Sequence, residues 1–173
     1  MTLNFFLEQM TSVIAWIFLI ASYWKNKDDG LLFLQVISCI FFILNYIFLG
    51  AYTGLVVIIF EIIRDVFYIN LKNDKRFFCF SLPIYALIGL FTYDGIWSLF
   101  SIFASICDGY ALTYHGKKVV VLGLLVYVLW LIYDIYFFSI ANIFAESILI
   151  ISNLIILFTT NESRKKGITS KRY

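Results

Sequence analysis

Apolar residues run along this chain in seven long stretches, with short polar breaks between them. The stretches lie near 5–24, 31–50, 53–71, 77–92, 95–114, 118–138 and 140–160. The breaks are KNKDDG (25–30), GAYTG (50–54), KNDKR (72–76), YDG (93–95), HGKK (115–118), a tight FFS (137–139) and the tail from Asn161. A helix of about 17–25 apolar residues crosses the hydrocarbon core of a bilayer, where the backbone must satisfy its own hydrogen bonds. The pattern therefore predicts an all-α membrane protein of seven transmembrane helices in one domain over 1–160, followed by a basic tail over 161–173. The fourth stretch is the shortest and contains Pro83, the sole proline, which a membrane helix tolerates with a kink.

Composition strengthens this picture. The chain is 62% hydrophobic and 14% charged, with a mean hydropathy of +0.93, whereas a soluble domain carries about 25% charged residues. That leaves too little polar surface to cover a globule in water. No break between the stretches is long enough to fold alone. A cleavable signal peptide is not expected, because Met1 to Trp24 contains no Lys or Arg and Tyr23-Trp24-Lys25 is a poor cleavage site. Cys39, Cys79 and Cys107 lie inside apolar stretches without CxxC spacing and read as small buried hydrophobes. The net charge of +2 is local to the loops and gives no reason to invoke nucleic acid.

The basic residues alternate from loop to loop. Lys25 and Lys27 lie in the first break, Lys72, Lys75 and Arg76 in the third, Lys117 and Lys118 in the fifth, and Arg164, Lys165, Lys166, Lys171 and Arg172 in the tail. The second, fourth and sixth breaks and the N-terminal segment have none, and Arg64 alone stands inside a stretch. By the positive-inside rule the basic loops are cytoplasmic. The N-terminus is then outside and the C-terminus cytoplasmic, an arrangement that needs an odd number of spans. Asn161-Glu162-Ser163, a glycosylation-like triplet, falls on the cytoplasmic side and carries no meaning there.

The third and seventh stretches share a pattern 85 residues apart: GLVVIIFEIIRD (54–65) lies over SIANIFAESILI (139–150), matching Glu61 with Glu146. This offset fits two parallel three-helix units, about 5–71 and 95–160, joined by a linker helix at about 77–92. A competing register pairs Tyr52-Thr53-Gly54 with Tyr93-Asp94-Gly95 and suggests repeated hairpins. The three-helix unit keeps both halves in one orientation, as the charge pattern requires.

LQVISCIFFILNYIFLGAYTG (34–54), EIIRDVFY (61–68), WLIYDIYF (130–137) and ESILIISN (146–153) resemble the YgjV-like family of bacterial inner-membrane proteins. More distantly, the aromatic-rich hairpins resemble PnuC-type vitamin-precursor transporters and the SWEET/PQ-loop proteins. The resemblance implies a bacterial cytoplasmic (inner) membrane location, a SWEET-like 3+1+3 architecture and, by analogy, transport of a small solute. The chain has no Pro-Gln dipeptide, so no PQ-loop residue is carried over.

The candidate chemistry lies in polar groups inside the stretches. Glu61, Arg64 and Asp65 share one helix sector by their spacing, and Arg64 can pair with either carboxylate. An unpaired charge at the bilayer centre costs about 2.5–3.5 kcal/mol on insertion scales. Asn142, Glu146 and Asn153 recur on the seventh stretch, with Asn45 on the second, Asp108 on the fifth and Asp134 on the sixth. Asn45 and Asp134 lie near outer ends, where water explains them. Polar groups on several helices point to a shared cavity, although each can also serve only as a hydrogen bond between helices. Trp16 and Trp130 lie deep enough to stack on a planar or sugar-like ligand or simply to pack, whereas Trp24 and Trp97 suit an interfacial belt.

Catalysis has little support. His115, the single histidine, stands in a loop beside Lys117 and Lys118, and no HExxH, GxSxG or phosphate-cradling glycine loop is present. The expected function is therefore a small-solute transporter or carrier with a central polar cavity, facilitative or proton-coupled, with no enzyme activity, cofactor or metal. The alternative is a non-transporting accessory or assembly protein whose buried charges fix helix packing. The implied partners are the lipid bilayer and a small polar solute, and a homo-oligomer is allowed.

Overall fold

The computed structural model describes residues 3–23, 28–70, 75–114 and 117–170, and among these there is no strand. Seven helices follow one another in this part of the chain: α1 (Leu3–Tyr23), α2 (Asp28–Leu49), α3 (Tyr52–Asn70), α4 (Lys75–Thr92), α5 (Ser98–Ala111), α6 (Lys117–Phe137) and α7 (Ile140–Ser170). Trp24, Lys25, Lys27, Lys72 and His115 lie outside the described residues, as do the side chains of Lys75, Arg76, Lys117 and the basic tail. Two elements differ from the sequence pattern. α5 begins only at Ser98, because Asp94 and Gly95 form a turn in which Gly95 takes a φ of +89° and the Asp94 N–H donates to Ser98 Oγ at 3.1 Å. α7 continues beyond its apolar stretch to Ser170, through a tail that contains the good helix formers Glu162, Arg164, Lys165 and Lys166.

By length and composition α1, α6 and α7 are long and apolar enough to cross a membrane. Phe33–Leu49, Phe78–Thr92 and Ser98–Ala111 are shorter apolar segments, and α3 is interrupted by its own Glu61, Arg64 and Asp65. Burial is inverted relative to a soluble protein. Phe91 is 85% exposed while Arg64 and Asp134 are fully buried. Such a molecule shows its bulky apolar side chains to lipid and turns its polar ones inward.

The helices pack as a closed ring in the order α1, α2, α3, α5, α6, α7, with α4 outside against α3 and α5. α5 can sit this tightly because its inner face is a run of small residues, Ser98, Ser101, Ala104, Ser105 and Gly109, all buried. The α2–α3 and α6–α7 connections have the same geometry. In the first, the Gly50 N–H donates to Ile47 O (3.2 Å) and the Ala51 N–H to Tyr46 O (3.1 Å); in the second, Phe138 donates to Ile135 O (3.2 Å) and Ser139 to Asp134 O (3.0 Å). Both are helix ends closed by a left-handed residue, Gly50 at φ +73° and Phe138 at φ +58°. The two turns stand 88 positions apart, as do Tyr46 and Asp134. At that register Glu146 stands opposite Ile58, one helical turn before Glu61, so the 85-residue match joins two glutamates at different depths.

Candidate functional site

The ring encloses a cavity of about 350 Å³ lined by side chains of α1, α2, α3, α5, α6 and α7. At the end that holds the two hairpin turns it is closed by aromatic rings. Tyr46 stacks on Trp130 with centroids 5.9 Å apart, and Tyr133 meets both edge-on, at 6.0 and 5.7 Å. Tyr46 OH donates to Asp134 Oδ1 at 3.2 Å, and Tyr133 OH accepts the Gly54 N–H at 2.9 Å. Gly54 permits this close approach, since a Cβ there would stand 3.0 Å from the Tyr133 hydroxyl and ring. α2, α3 and α6 are thereby tied together across the ring.

A hydrogen-bonded layer surrounds this plug. Glu8, almost wholly buried on α1, accepts from Asn45 Nδ2 at 2.9 Å and from Ser139 Oγ at 2.5 Å, with Gln9 Nε2 donating to its other oxygen. Asn142 Nδ2 donates to Asn45 Oδ1 at 3.2 Å. Asn142 Oδ1 in turn accepts from Ser12 Oγ and from Trp16 Nε1 at 3.0 Å. Three helices, α1, α2 and α7, are held by this one set of side chains.

At the opposite end the centre is Arg64. Its guanidinium is fully buried and donates to Asp65 Oδ1 (2.9 and 2.8 Å), Tyr85 OH (2.9 Å), the Ser105 carbonyl (2.9 Å) and Asp108 Oδ2 (2.5 Å). The two carboxylates that pair with it are 49% and 40% exposed, which places them at the mouth of the cavity. Glu61 lies deeper in the cavity and accepts from Ser105 Oγ. Of the two carboxylates the spacing on α3 offers to Arg64, then, Asp65 forms the ion pair, and the second partner comes from α5.

The candidate residues fall into three groups. Glu61, Asp65, Asp108, Glu146, Asn142, Trp16 and Trp130 line the cavity together. Arg64 and Asn45 are fully buried just behind its wall, each consumed by the networks above. Asn153 stands apart, its carboxamide donating to Leu149 O at 2.9 Å within its own helix. Water does not explain Asn45 and Asp134, since both are fully buried despite lying near helix ends. The aromatic plug and the Glu8 layer cover them. Trp97, the belt candidate, stacks on Tyr136 at 4.9 Å on the exposed side.

Glu8 and Asp134 belong to the site although their stretches give them no obvious partner. A signal existed in both. Glu8, Ser12 and Trp16 recur every fourth residue on α1, and Trp130 and Asp134 do so on α6, the spacing of one helix face. Asp134 and Glu146 are adjacent, with Asn142 beside Asp134. Each acid keeps one buried oxygen, Asp134 Oδ2 and Glu146 Oε2, without a hydrogen-bond partner among the described residues. Among the same residues no group of three or more His, Cys, Asp and Glu side chains is arranged to hold a metal ion.

An apolar exterior around a charged, hydrogen-bonded interior defines a helical membrane protein. More particularly, the chain belongs to the Imp-YgjV family, a family of bacterial inner membrane proteins, whose model matches residues 6–164. No curated protein and no solved structure matches it significantly.

Proposed function

We propose that the protein is a small-solute carrier, facilitative or proton-coupled, and not an enzyme. In this reading all seven helices cross the membrane, with the N-terminus outside and the C-terminus in the cytoplasm. α1–α3 and α5–α7 are parallel halves joined by α4, a 3+1+3 plan like that of the SWEET proteins. The observation that carries the reading is the cavity itself. It lies between the two halves, where repeat-built carriers bind their solutes, is sealed at the hairpin end by Tyr46, Trp130 and Tyr133, and reaches the opposite end at Asp65 and Asp108. With the N-terminus outside, this is the state open to the cytoplasm. Arg64 and its partners suit the packing role of the alternative reading, and they perform it here within a carrier.

The experiment is a metabolite-dependent thermal-shift screen of the purified full chain in detergent, repeated on Glu61→Gln. A metabolite that stabilises the protein and loses its effect in the variant supports a carrier, and a broad panel without a hit refutes it. Cysteine labelling in a cysteine-free background tests the topology, using Tyr52→Cys and Ser170→Cys. Tyr52 is exposed at the hairpin end, so it should label from outside and position 170 only from the cytoplasm. Equal sidedness would overturn the seven-span count.

A further inference from the structure

We propose that the solute is a small organic cation, whose positive head sits between Asp134 and Glu146 and whose body packs on Trp130. The inference rests on the carrier reading and specifies its substrate class. Charge is the first observation. Glu61, Asp65, Asp108, Asp134 and Glu146 all line the cavity, and among its described lining residues there is no Lys, Arg or His. Arg64, buried behind the wall, offsets part of this charge at the mouth, where it pairs with Asp65 and Asp108, and leaves Asp134 and Glu146 without a cationic partner among the described residues. An anion entering here meets carboxylates at every depth.

The second observation is independent of the charge count. Asp134 and Glu146 are 0% and 5% exposed, their carboxyls adjoin, and each keeps one buried oxygen that meets no hydrogen-bond donor among the described residues. A buried polar atom without a partner is costly, and two carboxylates side by side repel. A positive donor group between them removes both penalties. The walls fit the rest of such a ligand. Trp130 stacked on Tyr46 forms one face and Trp16 against Phe42 another, and indole and phenol faces attract cations. A volume of about 350 Å³ is far more than a bare metal ion needs and matches a solute of one ring or a short chain.

The test uses three probes of nearly equal size on the purified full chain at one pH and ionic strength: benzylammonium, benzyl alcohol and benzoate. Thermal shift and the quenching of tryptophan fluorescence report binding. Benzylammonium is expected to bind saturably and to stabilise the protein, and the neutral and anionic probes are not. Asp134→Asn with Glu146→Gln should weaken benzylammonium by at least about tenfold, since the charge-assisted hydrogen bonds to both carboxylates are lost. Asp94→Asn, at an exposed turn residue away from the cavity, should bind as the parent does. The charge series needs no variant, so a misfolded double variant leaves the decision intact. Benzyl alcohol or benzoate binding as well as benzylammonium overturns the inference while leaving a carrier cavity. Absence of binding by all three overturns it too, with the carrier reading still decided by the metabolite screen. Benzylammonium binding that survives the double variant removes the site from Asp134 and Glu146.

Discussion

Replacing Arg64 by leucine removes a fully buried guanidinium that donates to Asp65, Asp108, Tyr85 OH and the Ser105 carbonyl. Removing one member of a buried ion pair costs about 3–5 kcal/mol, because its partners are left charged and unpaired. Here the lower end applies. Asp65 and Asp108 are 49% and 40% exposed at the cavity mouth and can take up water once released. The Tyr85 hydroxyl and the Ser105 carbonyl lose a charged donor and add to this loss. Leucine recovers part of this sum, since burying the guanidinium was itself costly, and a net loss of about 3 kcal/mol is expected. For a chain of this size that is a fall in Tm of about 6–12 °C, read by tryptophan fluorescence during heating in detergent. Apolar replacement of a whole buried charge set is often near neutral, so Arg64→Leu with Asp65→Leu and Asp108→Leu should return to within about 1 kcal/mol of the parent. Arg64→Leu with Glu61→Leu should not, because Glu61 is bonded to Ser105 and not to Arg64. A fall smaller than about 2 °C for the single variant, or a triple variant no better than the single, would refute this account of Arg64.

Three further outcomes follow from the packing. A Cβ at Gly109 would stand 3.0 Å from Arg64 Nη1, so Gly109→Ala should cost about 1–3 kcal/mol as overpacking, and much less once Arg64 is leucine; equal costs in the two backgrounds would deny the contact. Glu8→Gln sets an amide in place of the carboxylate that accepts from Asn45, Ser139 and Gln9, and thermal unfolding should show a loss of about 1–3 kcal/mol. The hairpin turns predict opposite signs: Gly50→Ala places a side chain at φ +73° and should destabilise by about 1–2 kcal/mol, whereas Phe138→Gly relieves a non-glycine residue at φ +58° and should leave stability equal or higher, both measured by the same melts.

The apolar stretches by themselves determine that this is a helical membrane protein, because hydrocarbon demands that each spanning segment satisfy its own backbone, and that demand is local. Helix positions agree to within a few residues over α1 to α4 and α6. The acids on α3 and α7 were legible as cavity residues for a related reason: a charge within an apolar run must face inward, whatever its neighbours are. Partner choice was not legible. That Arg64 meets Asp108 depends on the rotation of α5 about its own axis and on Gly109 allowing the approach. α6 is apolar nearly all round, so the spacing puts Asp134 on the face of Trp130 without showing which neighbour that face meets, and only packing against α2 and α7 buries it between Tyr46 and Glu146. The register between α3 and α7 was decided in the same way. Identity between two apolar helices is weak, whereas the turns at Gly50 and Phe138 are set by backbone hydrogen bonds that side-chain patterns do not reveal. Local hydrophobicity thus determined the elements, and tertiary packing decided which polar groups share the space between them.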